Sequence, residues 1–250
     1  MLDAIRSGVD TLRRHWRAQT VSVNPASVIV LGNQKSGTTA IAALLAKHTG
    51  NSVTLDLPGL YEPTQTRLHN GALSFEQFVD ANRLDFSRDI IKEPCLTFLY
   101  DDLREAFPEA KFALIVRDPR DNVRSILNRL SVPGNQRTLS QAQIKSLSQE
   151  WKLTVFGDWL DLSGDTYIDF LAARWVRAAR VYLDHLHDIR LIRYEDFLAD
   201  KTDTITGLAD ALSLKSEHDI QDEVDVQYQL HGNRNVEWVD FFGTTNLRRI

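Results

Sequence analysis

Between Val28 and His48 an apolar run, Val28-Ile29-Val30-Leu31, enters a loop bounded by Gly32 and Gly37 and leaves it in a helix of small residues that begins near Ala40. That order commits the segment to a strand, a tight turn and a helix packed back on the strand. Backbone N–H groups of such a loop turn inward at a helix N-terminus, where unpaired donors and the positive dipole end make a cradle for a phosphate-like anion. The place of the lysine narrows the ligand. A nucleoside-triphosphate loop of the G-x-x-x-x-G-K-[ST] type carries lysine directly after its second glycine. Here Thr38 follows Gly37 and Lys35 stands earlier, inside the loop, which points to a different anionic ligand.

A second strand-to-helix junction lies downstream. Lys111-Phe112-Ala113-Leu114-Ile115-Val116 is an apolar run fit for a buried parallel strand, and it ends in Arg117-Asp118-Pro119-Arg120-Asp121 before a helical stretch through Leu130. Pro119 suits the first turn of that helix, where its missing N–H would have been an unpaired donor anyway.

Gln34-Lys35-Ser36-Gly37-Thr38-Thr39 resembles the 5′-phosphosulfate loop of the sulfotransferases, which take 3′-phosphoadenosine 5′-phosphosulfate (PAPS) as sulfuryl donor. Arg117 and Ser125 fall at the positions of that family's 3′-phosphate motif. Three further segments agree: Ile91-Lys92-Glu93-Pro94 resembles its lysine-x-proline segment, Arg193-Tyr194-Glu195-Asp196 its tyrosine-glutamate-aspartate strand end, and His231-Gly232-Asn233-Arg234 its C-terminal glycine-and-arginine loop. The resemblance runs from Ser27 to Trp238.

The resemblance implies an α/β fold of three α/β/α layers around a central parallel sheet, like that of P-loop nucleotide kinases. It also implies in-line transfer of a sulfuryl group from PAPS to an acceptor oxygen or nitrogen, with no metal required. In that chemistry the protein positions the reactants and offsets charge on the leaving group. Lys35 would face the bridging oxygen. Gln34, Ser36, Gly37, Thr38 and Thr39 would hold the 5′-phosphate, Arg117 and Ser125 the 3′-phosphate with Gly232, Asn233 and Arg234 closing over it, and Tyr194 the adenine side. A hydroxyl acceptor needs a base, which many relatives place between the first helix and the lysine-x-proline segment. Glu62 is the first choice, His69 the second and Glu93 the third.

Bulk properties agree with a cytoplasmic enzyme. The 250 residues suffice for one large α/β domain, expected to span residues 1–250. A formal net charge of -5 argues against a general nucleic-acid binder. Cys95 is the only cysteine, so neither an intramolecular disulfide nor a cysteine-based metal site can form. No stretch is long and apolar enough to span a bilayer. Residues 1–20 read as an amphipathic helix with Ile5, Val9, Leu12 and Trp16 on one face, docking on the domain or a neighbouring subunit in preference to a membrane surface.

Strands and helices alternate without repeats, as in a parallel sheet covered on both faces. Candidate strands are Val28–Leu31, Val53–Leu55, Ile90–Lys92, Phe112–Val116 and Arg190–Ile192. Tyr167, Phe170, Leu171, Trp175, Ala178, Tyr182 and Leu186 recur at helical spacing, and a further helix follows Asp200 with Ile205, Leu208 and Leu212 on one face. Two regions break the pattern: Pro58 to Phe86, and residues 131–165 with Trp151, Phe156 and Trp159. Either they cover a small-molecule or carbohydrate-like acceptor as a lid, or their aromatics anchor surface excursions to the core. A homo-oligomer is compatible with the sequence. Besides a PAPS-dependent sulfotransferase, the topology would serve a P-loop kinase or NTPase, which Thr38 disfavours, or a non-catalytic nucleotide-binding relative.

Overall fold

The computed structural model describes residues 21–226, 228 and 236–250; the expected helix at residues 1–20 and the segment Gly232 to Arg234 lie outside them. Strands β1 (Val28–Gly32), β2 (Val53–Thr54), β3 (Ile90–Lys92), β4 (Lys111–Val116) and β5 (Ile189–Arg193) form one parallel sheet in the order β2-β3-β1-β4-β5. Each of the five expected strands is present. Between them run α1 (Thr38–Thr49), α2 (Thr64–His69), α3 (Phe75–Ala81), α4 (Arg83–Phe86), α5 (Tyr100–Ala106), α6 (Pro119–Leu130), α7 (Gln141–Ser146), α8 (Gln149–Phe156) and α9 (Tyr167–Asp184). After β5 come α10 (Tyr194–Ala199), α11 (Lys201–Ala211) and α12 (Trp238–Leu247), the last broken at Gly243.

Strands covered on both faces read as continuous apolar runs, and successive residues turn to opposite faces. Val28 and Val30 pack with Ile41, Leu44 and Leu45 of α1 and with Ile205 and Leu208 of α11. Ile29 and Leu31 meet Phe78, Phe86 and Phe107 on the other face. A third cluster joins Val123, Ile126 and Leu127 of α6 to Ile168 and Leu171 of α9 and Phe242 of α12. Burying each such side chain stabilises the fold by about 1.5–3 kcal/mol relative to leaving it exposed.

Helix α9 departs from its apolar pattern. Tyr167, Leu171 and Ala178 are buried as the periodicity predicts, but Arg174 shares their face with 0% of its surface exposed. Trp175 is only half-buried, and Leu186 is exposed because the helix ends at Asp184. Helix α11 follows expectation, with Ile205, Leu208 and the following Leu212 buried.

The topology fixes where a site can form. β3 lies on one side of β1 and β4 on the other, so the chain reverses its direction of travel across the sheet there, and a crevice opens at the C-terminal ends of these strands. The loops after β1 and β4 leave the sheet side by side, since Gly32 pairs with Ile115. Among the described residues no helix is long and apolar enough to cross a membrane.

Candidate active site

The loop after β1 is held in an unusual shape. Gly37 has φ of 94°, and a Cβ there would lie 2.3 Å from ring carbons of Tyr194, so only glycine allows this turn and this approach. Lys35 takes a left-handed conformation with φ of 67°, uncommon for a residue with a Cβ. Its neighbours enforce that conformation. The Arg117 Nη1 donates to the Lys35 carbonyl at 3.0 Å, and the buried Asn122 donates from Nδ2 to the Gln34 carbonyl at 2.8 Å and to Ser36 Oγ at 3.0 Å. Asn33 Nδ2 in turn donates to Asn122 Oδ1 at 2.9 Å. Helix α1 opens from this loop without an acidic residue in its first turn or a side-chain cap, leaving its amide dipoles directed at the crevice.

At the end of β4, Arg117 is buried, with its guanidinium 4.8 Å from the centre of the Tyr194 ring. Trp175 Nε1 donates to the Arg117 carbonyl at 2.8 Å, and the Asp118 N–H donates to Glu195 Oε1 at 2.8 Å. The Tyr194-Glu195 segment thus braces both the loop and the strand end. Asp118 caps α6 by accepting from the Arg120 N–H at 2.9 Å, with Pro119 in the first turn. The Arg120 side chain, bonded to Asp118, holds that carboxyl below the usual carboxylate range. Residues Asp121, Arg124, Ser125 and Asn128, at i, i+3, i+4 and i+7 spacing, then present one face of α6 to the crevice.

Together these elements wall a cleft of ≈ 660 Å³, within the range of small-molecule sites. Gln34, Lys35, Gly37, Thr38 and Thr39 line it from the loop side. Arg117, Ser125 and Tyr194 line it from the strand and helix beyond. Ser36 is the exception in the loop: its side chain turns inward onto Asn122. Lys35 has its pKa lowered to about 8, first by burial and then by the charges of Arg129, Arg117 and Lys92. Cations held this close against their mutual repulsion create a potential that an anion would relieve.

The acids named from the sequence do not converge there. Glu62 is not among the residues lining the cleft; its carboxylate accepts from the Thr66 N–H at 3.3 Å and from the Thr66 hydroxyl, at the start of α2. His69 also stands apart from the lining, with Nε2 3.3 Å from Asp161 Oδ2. Glu93 does line the cleft, but it is buried, and its two oxygens accept from the Leu57 N–H at 3.2 Å and the Cys95 N–H at 3.0 Å. Burial raises its pKa. Asp56, which the sequence reading passed over, lines the cleft just past β2, exposed, with Oδ1 2.7 Å from the buried Lys92 ammonium. Asp56, Glu93 and Glu150 surround Tyr61, whose hydroxyl is pushed up first by burial and then by these charges.

Of the three aromatics in residues 131–165, Trp151 lines the cleft. Trp159 is buried in the core and Phe156 packs beside α6, so both are anchors rather than lid contacts. Asn122, Arg124 and Arg174 are further residues at the site that motif reading did not single out; of these only Arg174, an isolated charge in the apolar run Leu171-Ala172-Ala173-Arg174-Trp175-Val176, leaves a signal in the sequence.

A family model described as "Sulfotransferase family" matches residues 60–218, beginning after the loop that carries Lys35. No curated protein sequence matches significantly. Among solved structures, sulfotransferase STF1 from Mycobacterium tuberculosis H37Rv superposes with a TM-score of 0.52 at 12% identity, covering 95% of this chain and 78% of that one. A sulfotransferase from Alicyclobacillus acidocaldarius gives 0.49 at 15% identity over 83% of this chain and 87% of that one. Mouse sulfotransferase SULT7A1, solved with PAP, gives 0.48 at 14% identity over 83% of this chain and 66% of that one. At these identities the likeness is one of fold.

Proposed function

The chain belongs to the sulfotransferase family, and we propose that it transfers the sulfuryl group of PAPS to a hydroxyl or amine of a small or medium-sized acceptor in this cleft. The observation that carries the reading is the hydrogen bond from Arg117 to the Lys35 carbonyl, which ties the two strand-end anion sites into one cleft. A donor with phosphate groups at two ends of one nucleoside fits such a pair. When bound, PAPS supplies the sulfuryl group and the leaving group.

The chain's own residues have separable tasks. Lys35 offsets negative charge on the bridging oxygen as the S–O bond breaks, and the α1 amides with Thr38 and Thr39 hold the 5′-phosphate. Arg117 and Ser125 hold the 3′-phosphate, Arg117 by charge-assisted hydrogen bonds. Asp56 takes the acceptor's proton in place of Glu62. It occupies the interval between α1 and the lysine-x-proline segment, it is exposed to the cleft, and Lys92 orients one of its oxygens at 2.7 Å. Glu93 is spent on backbone amides and supports the floor. Trp151 and Tyr61 supply apolar contact for the acceptor.

Calorimetry and thermal melting test the donor assignment. 3′,5′-Adenosine bisphosphate (PAP) should raise the melting temperature without metal, ATP with magnesium should do so weakly, and Arg117→Ala should erase most of that preference. Tighter binding of ATP-magnesium than of PAP would replace this reading with a kinase.

A further inference from the structure

Arg174 sits in mid-helix on α9, wholly buried, where the periodicity calls for an apolar residue. Among the described residues no carboxylate lies within ion-pair distance of it, and its Nη1 is buried without a hydrogen-bond partner. Dipoles, ring faces and the Cys95 thiol hold the charge instead, with the Glu93 carboxylate favouring it from beyond ion-pair distance. Nε donates to Asn33 Oδ1 at 3.1 Å and to Gln34 Oε1 at 3.2 Å, Nη2 donates to Gln34 Oε1 at 2.6 Å, and the guanidinium lies 4.3 Å from the centre of the Phe98 ring. A buried charge without an opposite partner is costly, and an apolar residue of like volume in its place is often neutral or stabilising. Local rules broken in this way cluster at functional sites.

What Arg174 grips is the phosphosulfate-like loop. Gln34 is clamped three ways: its Oε1 by Arg174, its Nε2 by donation to Cys95 Sγ at 3.1 Å, and its carbonyl by Asn122 at 2.8 Å. The next residue is Lys35, in the left-handed conformation that persists only where the surroundings over-determine it. We propose that Arg174 is a positioning residue of the donor site: acting through Gln34, it fixes the loop so that Lys35 and the amides after it face the 5′-phosphate of the donor. This inference rests on the sulfotransferase reading.

The test compares PAP with adenosine 3′-monophosphate, which lacks the 5′-phosphate, by calorimetry on the full chain. Arg174→Met should melt at or above the wild-type temperature, lose about tenfold or more in PAP affinity, and lose about twofold or less for the monophosphate. Arg117→Ala should weaken both ligands. Arg174→Lys should recover part of the PAP affinity, because its ammonium can still donate to Gln34. Gln34→Met should show the same selective loss, and the double variant Arg174→Met/Gln34→Met should lose no more than either alone. If Arg174→Met does not fold, the lysine variant and Gln34→Met carry the test. Equal losses for the two nucleotides, additive losses in the double variant, or unchanged PAP affinity with a lower melting temperature would each overturn the proposal. A wild-type chain that binds neither nucleotide overturns the donor reading itself and takes this inference with it.

Discussion

At the loop end of the cleft, Lys35 and Gln34 are held through their carbonyls by Arg117 and Asn122 at 2.8–3.0 Å, on elements that grow directly out of β1 and β4. At the far end, Tyr61, Glu150 and Trp151 stand on short helices and turns that pack beside the sheet rather than on its strands. The first end gathers cations about buried backbone; the second mixes aromatics with carboxylates. Pre-organised charge suits a donor that is the same at every turnover, while a wall of loops suits a second substrate that a fold does not specify.

Substitutions at the two ends should therefore fail in different ways, and Lys35→Ala should fail hardest. With an acceptor identified by a labelled-donor screen, its turnover should fall on the order of a hundredfold to a thousandfold while the chain stays folded, since a charge-stabilising donor is lost from the transition state. Near-normal turnover in a folded variant would remove Lys35 from the chemistry.

Asp56→Asn marks the border between the two ends. It should slow the chemical step on the order of a hundredfold with little change in PAP affinity, whereas Glu62→Gln should cost about twofold or less. A larger loss from Glu62→Gln would return the base to the position the sequence suggested.

The contrast between these two acids also explains what was legible beforehand. The donor end is written in contiguous strand–turn–helix segments, where Gly37, Lys35, Pro119 and the apolar runs before them carry local and sufficient signals. The acceptor end depends on where a turn sends each side chain. The short 3-10 turn Pro58–Leu60 leaves Tyr61 on the cleft while Glu62, one residue on, folds back onto α2. Asp56 acquires its place only because Lys92 of the neighbouring strand β3 reaches it. On α9, a shift of one residue along the helix put Trp175 in the expected core stripe and hid Arg174, because periodicity registers hydrophobicity and not the polar partners just past the ends of β1 and β4.

At the acceptor end, Trp151→Ala should leave PAP affinity unchanged and raise the acceptor KM about tenfold, the equivalent of ~1.4 kcal/mol of lost contact. An unchanged KM would make Trp151 a wall of the fold, like Trp159.

The smallest effect separates folding from binding at one group. Lys35 in the folded chain has a pKa lowered from 10.5 to about 8. Between those values the unfolded chain binds more protons than the folded one, so this group's contribution makes stability rise with pH; below about 8 its full penalty is present. The melting-temperature deficit of the wild type relative to Lys35→Met should therefore shrink as pH is raised from 7 towards 10. PAP affinity should move the opposite way. The bisphosphate binds the protonated ammonium, so wild-type affinity should fall as pH passes through about 8, by at most about tenfold per pH unit for one proton, while Lys35→Met stays nearly flat. Melting and calorimetry across that pH range read both trends on the same samples. Parallel curves for the two proteins in either measurement would mean that Lys35 is not the titrating group at the donor end.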